Sequence, residues 1–309
     1  MMRFWLTLCV VVFVASIGFS LTVGVNLPWV NYGWDIGRNP WNEKVGDGFS
    51  KHPDVLRAKL KTAKQHRLDV VRVFLFADCR SGFILEDGIW KLDRFTLEDI
   101  RTLFTVAREE RVQIIPVLFD WMMADGKAID DKGMGEHPEF VVDAKIRNQV
   151  YLNLIPIFSL FEEYRDIIYT WESFNEPDHA FAINASWNGQ VQLYGFLTDI
   201  AALGKEHAPS VRSTIGSATS EALVSKWNAI PQDELQFHYY FSGDLRMPPQ
   251  ANTVSTNRTV FIGEFQCSKF PALQLNWAKQ SGYPLVVFWS LSGHDNFHVD
   301  LVSIKKWQD

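Results

Sequence analysis

Between residues 22 and 290, eight short β-rich runs alternate with longer segments of helical periodicity, and this alternation restricts the possible folds more than any other feature of the chain. The runs are 22–27, 69–76, 112–119, 167–174, 211–217, 235–240, 259–265 and 284–290. Strand and helix in strict alternation are the mark of a parallel sheet wrapped by helices. Runs such as Val70 to Phe76 and Val112 to Phe119 are almost continuously apolar, which requires cover on both faces. Between them, the segment near 53–67 sets Val55, Leu56, Leu60 and Ala63 on one helical stripe. Another helix begins near Pro271, carries Leu273 and Trp277 on one face and stops at Gly282. Eight such units predict an α/β fold, a single (β/α)8 TIM barrel; a doubly wound open sheet is the alternative, because strand count does not prove closure. Pro248 and Pro249, within a stretch from Gly243 to Asn257 of little apolar periodicity, predict a short or missing sixth helix. The last helix, about 299–308, is also brief.

With 47% hydrophobic residues over 309 positions, the chain supplies the core of one such barrel, and no Pro, Gly and Ser linker divides it. The sequence therefore reads as one domain over 21–309, preceded by residues 1–20. That leader places Arg3 before an uncharged run from Phe4 to Phe19 and ends at Ser20, the pattern of a secretory signal. The run is shorter than the roughly 20 residues of a spanning helix, so export is expected over a permanent membrane anchor. Of three cysteines, Cys9 lies in the leader, and Cys79 and Cys267 are expected to be unpaired. The formal charge of −6, with no dense run of Lys and Arg, argues against a nucleic-acid partner. Twelve tryptophans exceed what a core of this size requires and suit stacking on the apolar faces of sugar rings. Oligomeric state is not readable, and a monomer is the default.

In a (β/α)8 barrel the C-terminal ends of the strands converge on one mouth. The polar or aromatic residues at those ends are Asn26, Arg72, Asp120, Asn175, Glu176, His238, Tyr240, Glu264 and Trp289. Two carboxylates stand out, Glu176 closing the fourth strand and Glu264 closing the seventh. Glycoside hydrolysis needs two carboxylates, and a retaining reaction needs them about 5 Å apart. Trp29, Trp34, Trp41, Trp121 and Trp187 fall in the loops expected above that mouth, where they would stack on successive sugars of a polymer. Glu172 reads as structural, its strand phase being undetermined. No metal-ligand spacing, phosphate-cradling glycine loop or Gly-x-Ser-x-Gly elbow is present, so the chemistry proposed needs neither metal nor cofactor.

Four ordered motifs make the reading specific: Trp171-Glu172-x-x-Asn175-Glu176-Pro177, His238-x-Tyr240, Ile262-Gly263-Glu264-Phe265 and Phe288-Trp289-Ser290. Together they resemble the signature of clan A glycoside hydrolases, most closely family 5, over about residues 22 to 292. Gly24 to Trp29 and Arg72 are similar to the same group. The resemblance implies Glu176 as general acid/base and Glu264 as nucleophile. It implies that Tyr240 and Arg72 hold the nucleophile, that Asn175 binds a sugar 2-hydroxyl, that His238 belongs to the site, and that Trp289 forms the floor under the reacting sugar. To donate at rest, Glu176 should hold its proton, and its pKa is expected to be raised by the nearby Glu264. Leu118-Phe119-Asp120-Trp121 departs from the strand-three histidine of many members and is closer to mannan-cleaving relatives. Asp120 either binds a sugar hydroxyl or caps the loop. The implied activity is retaining cleavage of a β-linked glucan or mannan, endo-acting. Exo-action, transglycosylation and a non-catalytic carbohydrate-binding barrel are the alternatives.

Overall fold

A computed structural model describes residues 20–38, 48–125, 136–241, 246–292 and 299–309. The leader up to residue 19, Trp41 and Gly243 lie outside the described residues. Eight strands, all parallel, close into a barrel: β1 (Thr22–Asn26), β2 (Val70–Phe74), β5 (Gln113–Asp120), β6 (Trp171–Asn175), β7 (Ser213–Ser217), β8 (Leu235–Tyr239), β9 (Val260–Gln266) and β10 (Leu285–Trp289). Pairing of β1 with both β2 and β10 excludes the open-sheet alternative. A separate antiparallel hairpin, β3 (Phe83–Glu86) with β4 (Ile89–Leu92), follows the second barrel strand.

The apolar strands are buried on both sides, as their composition requires. One face of the barrel wall packs against the surrounding helices in the main core. Val70, Ile115, Phe261, Leu285 and Val287 form a second, separate apolar cluster, and Phe74, Ala77 and Val117 a third. Arg72, between Val70 and Phe74 on β2, is fully buried. Two glycines make room for the large polar side chains near it. A Cβ on Gly216 would stand 2.2 Å from Glu172 Oε1, and one on Gly263 would stand 2.2 Å from Gln236 Cδ.

Helix Pro53–Gln65 buries Leu56, Leu60 and Ala63, whereas Val55 is 47% exposed and falls off the predicted stripe. Helix Pro271–Gln280 rotates away from its predicted face, burying Leu275 and Ala278 and leaving Leu273 exposed; Gly282, at φ +84°, stops the segment as expected. Among the described residues between the sixth and seventh barrel strands only the turn Ala251–Val254 is helical, and the last helix is Leu301–Gln308. The fourth strand begins at Trp171, four residues later than its apolar run, and Ile168 makes only an isolated bridge to Ile114. Cys79 is buried and Cys267 half-buried, both free thiols. Among the described residues no helix is long and apolar enough to cross a membrane.

Candidate active site

Parallel register sets the polar strand ends level with one another. Asn26 pairs with Arg72, Asp120 with Asn175, and His238 with Glu264. At the centre stands Arg72, fully buried, whose five N–H groups all find acceptors. Nε and Nη2 form a fork on Glu172 at 2.7 Å each, and Nη2 also donates to Asn175 Oδ1 at 2.6 Å. Nη1 donates to Asn26 Oδ1 and to Glu264 Oε1, both at 2.8 Å. A guanidinium out of water needs this full set, and the fork on Glu172 fixes its plane.

Glu264 is almost wholly buried, with Arg72 on one oxygen and the Tyr240 hydroxyl donating to the other at 2.6 Å. Burial raises its carboxyl above the ordinary range, and His238, Arg72 and the Tyr240 hydrogen bond work against that rise. Tyr240 itself is raised, first by burial and then by the charge of Glu264, so its hydroxyl stays a donor.

Glu176 follows the last residue of β6 in the left-handed region, φ 47° and ψ 54°, its N–H held by Gly216 O at 2.6 Å. For a residue with a Cβ this is a strained backbone, kept by its surroundings. Pro177 opens the short 3-10 turn Pro177–His179 that follows. Asp178 pins that turn, accepting from Trp227 Nε1 at 2.7 Å and from the Ala218 N–H at 2.8 Å, while Asn184 Nδ2 donates to Pro177 O at 2.8 Å. The side chain of Glu176 is 14% exposed, and an imidazole meets each of its oxygens. His238 Nδ1 lies 2.7 Å from Oε1, and His179 Nδ1 lies 3.0 Å from Oε2.

These imidazoles reverse the expected shift. Burial alone would raise the Glu176 carboxyl, but hydrogen bonds and charge from His179 and His238 hold it well below the usual carboxylate range. His179 is raised in turn, chiefly by that hydrogen bond. For His238, burial works against the charged form, yet Glu264 and Glu176 still raise it.

Asp120 is 3% exposed and accepts from Asn175 Nδ2 at 2.7 Å and from the Met122 N–H at 2.9 Å. It thus caps the chain after β5 and aims Asn175. Burial raises its pKa to about 8, against the Met122 and Asn175 hydrogen bonds.

Trp289, half-buried, packs on Phe74, Ala77 and Val117, and Trp29 lies 6.0 Å from the Phe74 ring. Trp121 turns its edge to His179 at 6.0 Å. Trp34 is instead covered by Arg80, and Trp187, 80% exposed, opens a helix beside Tyr194 and Trp227. His179, Gln236 and the central part of Glu172 were not predicted as site residues. Gln236 Nε2 donates to Glu172 Oε2 at 2.9 Å and faces His238 Nε2 at 3.4 Å. Glu176, His238 and Glu264 bring one ligand atom each within 4.8 Å of one another, as a metal triad would. The Arg72 guanidinium already bonded to Glu264 repels a cation there, and the two carboxylates are bridged by His238 instead.

No protein-family model matches this chain, and no curated protein sequence does. Among solved structures it is similar to the β-mannanase of the blue mussel Mytilus edulis, with 18% identity over 93% of this chain and 90% of the other and a TM-score of 0.72. It is similar to the β-1,4-mannanase of the sea hare Aplysia kurodai, with 17% identity, 92% and 91% coverage and a TM-score of 0.74. A family GH5 lichenase from Caldicellulosiruptor sp. F32 matches at 13% identity, 91% and 88% coverage and a TM-score of 0.59. At these identities the likeness is one of fold.

Proposed function

We propose that this protein is a retaining β-glycoside hydrolase that cleaves β-1,4-mannan internally, with Glu264 as nucleophile and Glu176 as acid/base. The observation that carries the reading is the separation of the two carboxylates: one oxygen of each lies within 4.8 Å of the other. That gap suits a covalent glycosyl-enzyme and is too narrow for the intervening water of an inverting reaction. The buried Arg72 and Tyr240 donors on Glu264 stabilise the charge of an attacking carboxylate. Asn175, held by Arg72 and Asp120, is fixed for a hydrogen bond to the sugar 2-hydroxyl that strengthens in the transition state. In the first step Glu264 attacks the anomeric carbon while the leaving oxygen takes a proton from Glu176. In the second, Glu176 removes a proton from water, which hydrolyses the ester. Mannan is favoured by the likeness to mannanase structures and by the Asp120-Trp121 pair at the end of β5. The leader supports secretion.

Purified protein offered β-1,4-mannan, mixed-linkage β-glucan and xylan should release reducing ends from mannan with a rapid fall in viscosity. The first products should carry the β configuration, and Glu264→Ala should remove all turnover. Products of inverted configuration, or binding without cleavage by the wild type, would refute the reading.

A further inference from the structure

We infer that His179 is the proton reservoir of Glu176, holding at Nδ1 the proton that Glu176 Oε2 delivers to the leaving group. The inference rests on the acid/base reading of Glu176. An acid must deliver its proton from an oxygen that substrate can reach, and both oxygens of Glu176 are occupied by imidazoles. Oε1 belongs to His238, whose side chain is fully buried and whose Nε2 faces the Gln236 amide. With Glu176 on Nδ1 and the Gln236 amide against Nε2, that ring is closed off from solvent. Oε2 belongs to His179, whose side chain is 41% exposed. Its ring lies against Phe181 at 5.6 Å and meets the edge of Trp121, so the imidazole is aimed while remaining open to water.

The charged groups around His179 all favour the imidazolium. Glu176 accepts from it, and Asp178 and Asp120 stand near it. Asp178 is committed to Ser217, Ala218 and Trp227, and Asp120 to Met122 and Asn175, so neither competes for Nδ1. Across the carboxyl lie His238, the Arg72-bound Glu264 and the Tyr240 hydroxyl, with Asp120 also in range of its charge.

The Nδ1 proton passes to Oε2 and on to the glycosidic oxygen, which also takes the electron pair of its broken bond to the anomeric carbon. Glu264 supplies the pair for the new ester bond, and His179 is left neutral. In the second step water gives its oxygen to the anomeric carbon and its proton to Oε2 and thence to Nδ1, and the ester pair returns to Glu264.

The test compares wild type with His179→Gln, whose amide still donates to Oε2 but carries no titrating proton. kcat/KM is measured against pH on a manno-oligosaccharide and on a dinitrophenyl β-mannobioside, whose leaving group needs no proton. On the oligosaccharide we expect a 10- to 100-fold loss at neutral pH, with the alkaline limb moved to lower pH. KM should change less than threefold, and the aryl substrate should lose less than twofold. An unmoved alkaline limb, or equal losses on both substrates, overturns the inference. Wild type inactive on both substrates would instead refute the proposed function. If His179→Gln does not fold, imidazole nitrogen shifts of His179 decide: its titration midpoint must fall in Glu176→Gln, and an unchanged midpoint overturns the inference.

Discussion

Replacing Glu172 by glutamine tests whether the buried guanidinium sets the charge on the nucleophile. Glu172 is fully buried and accepts from Arg72 Nε and Gln236 Nε2 on one oxygen and from Arg72 Nη2 on the other. A glutamine keeps the shape, but its NH2 must then face an N–H of Arg72, and one of the two negative charges on that guanidinium is gone. Removing one partner of a buried ion pair costs about 3–5 kcal/mol, and because Arg72 retains Glu264 we expect about 3 kcal/mol. The same change removes a repulsion felt by Glu264. Two carboxylates bridged by one guanidinium repel by about 2–3 kcal/mol at an effective dielectric near 20, roughly two pH units. Activity needs Glu264 ionised, and burial raises that group, so in the wild type the acid limb lies above the ordinary carboxyl range. In Glu172→Gln it should move down by about one to two pH units, while a better-stabilised carboxylate attacks more slowly and lowers kcat. Urea melts at neutral pH and kcat/KM against pH on a manno-oligosaccharide measure both effects. A loss of stability below about 1 kcal/mol together with an unmoved acid limb would refute the argument.

Tyr240→Phe removes the 2.6 Å hydrogen bond on Glu264 and should lower kcat/KM about 10- to 100-fold, the equivalent of one charge-assisted hydrogen bond. Its acid limb should rise, opposite in sign to Glu172→Gln, and a falling limb would contradict the role given to the hydroxyl. Asp35, which accepts from the Val30 and Asn31 N–H groups and so shapes the loop beyond Trp29, is raised to about 7 by burial. Because the folded state binds that proton more tightly than the unfolded, its contribution is complete below about pH 4 and is lost as pH rises to about 7, roughly 4 kcal/mol in all. Glu234, also raised to about 7 by burial, adds in the same sense. Stability by urea should therefore fall between pH 5 and pH 8, and Asp35→Asn should flatten that slope; an equal slope in both proteins would rule Asp35 out.

The eight barrel strands were legible as short β-rich runs alternating with helical periodicity, almost continuously apolar in Val70 to Phe76 and Val112 to Phe119, and the two glutamates because each stands at or near the end of such a run. The hairpin Phe83–Glu86 with Ile89–Leu92 was missed, although Asp87 and Gly88, at φ 52° and 74°, form the Asp-Gly turn that announces one. Glu172 shows where strand arithmetic fails. Gln236, His238 and Tyr240 keep the period of two and converge on the site, but Glu172 and Asn175 are three apart and both meet Arg72. Regular alternation would set them on opposite faces, and the register break between them in the pairing with β7 brings them to one side.

His179 was hidden for a related reason. In a 3-10 turn, residues three apart eclipse one another, so the turn opened by Pro177 lays His179 over Glu176, whereas a loop reading gives its direction no meaning. That one side chain alters the proton inventory of the whole site. Arg72 faces two carboxylates, Glu172 and Glu264, in a nearly dry interior, and a third, Glu176, stands beside them on His238 and His179, so burial favours retaining a proton among these groups. The sequence expectation assigned it to Glu176 through repulsion by Glu264. With imidazoles on both oxygens of Glu176, the carboxyl becomes the weaker holder and the proton moves to the nitrogen side of the His179 hydrogen bond, where solvent can replenish it. A reaction that needs Glu264 ionised and its partner protonated then draws both conditions from one arrangement: a guanidinium that keeps the nucleophile charged and a half-exposed imidazole that keeps the acid supplied.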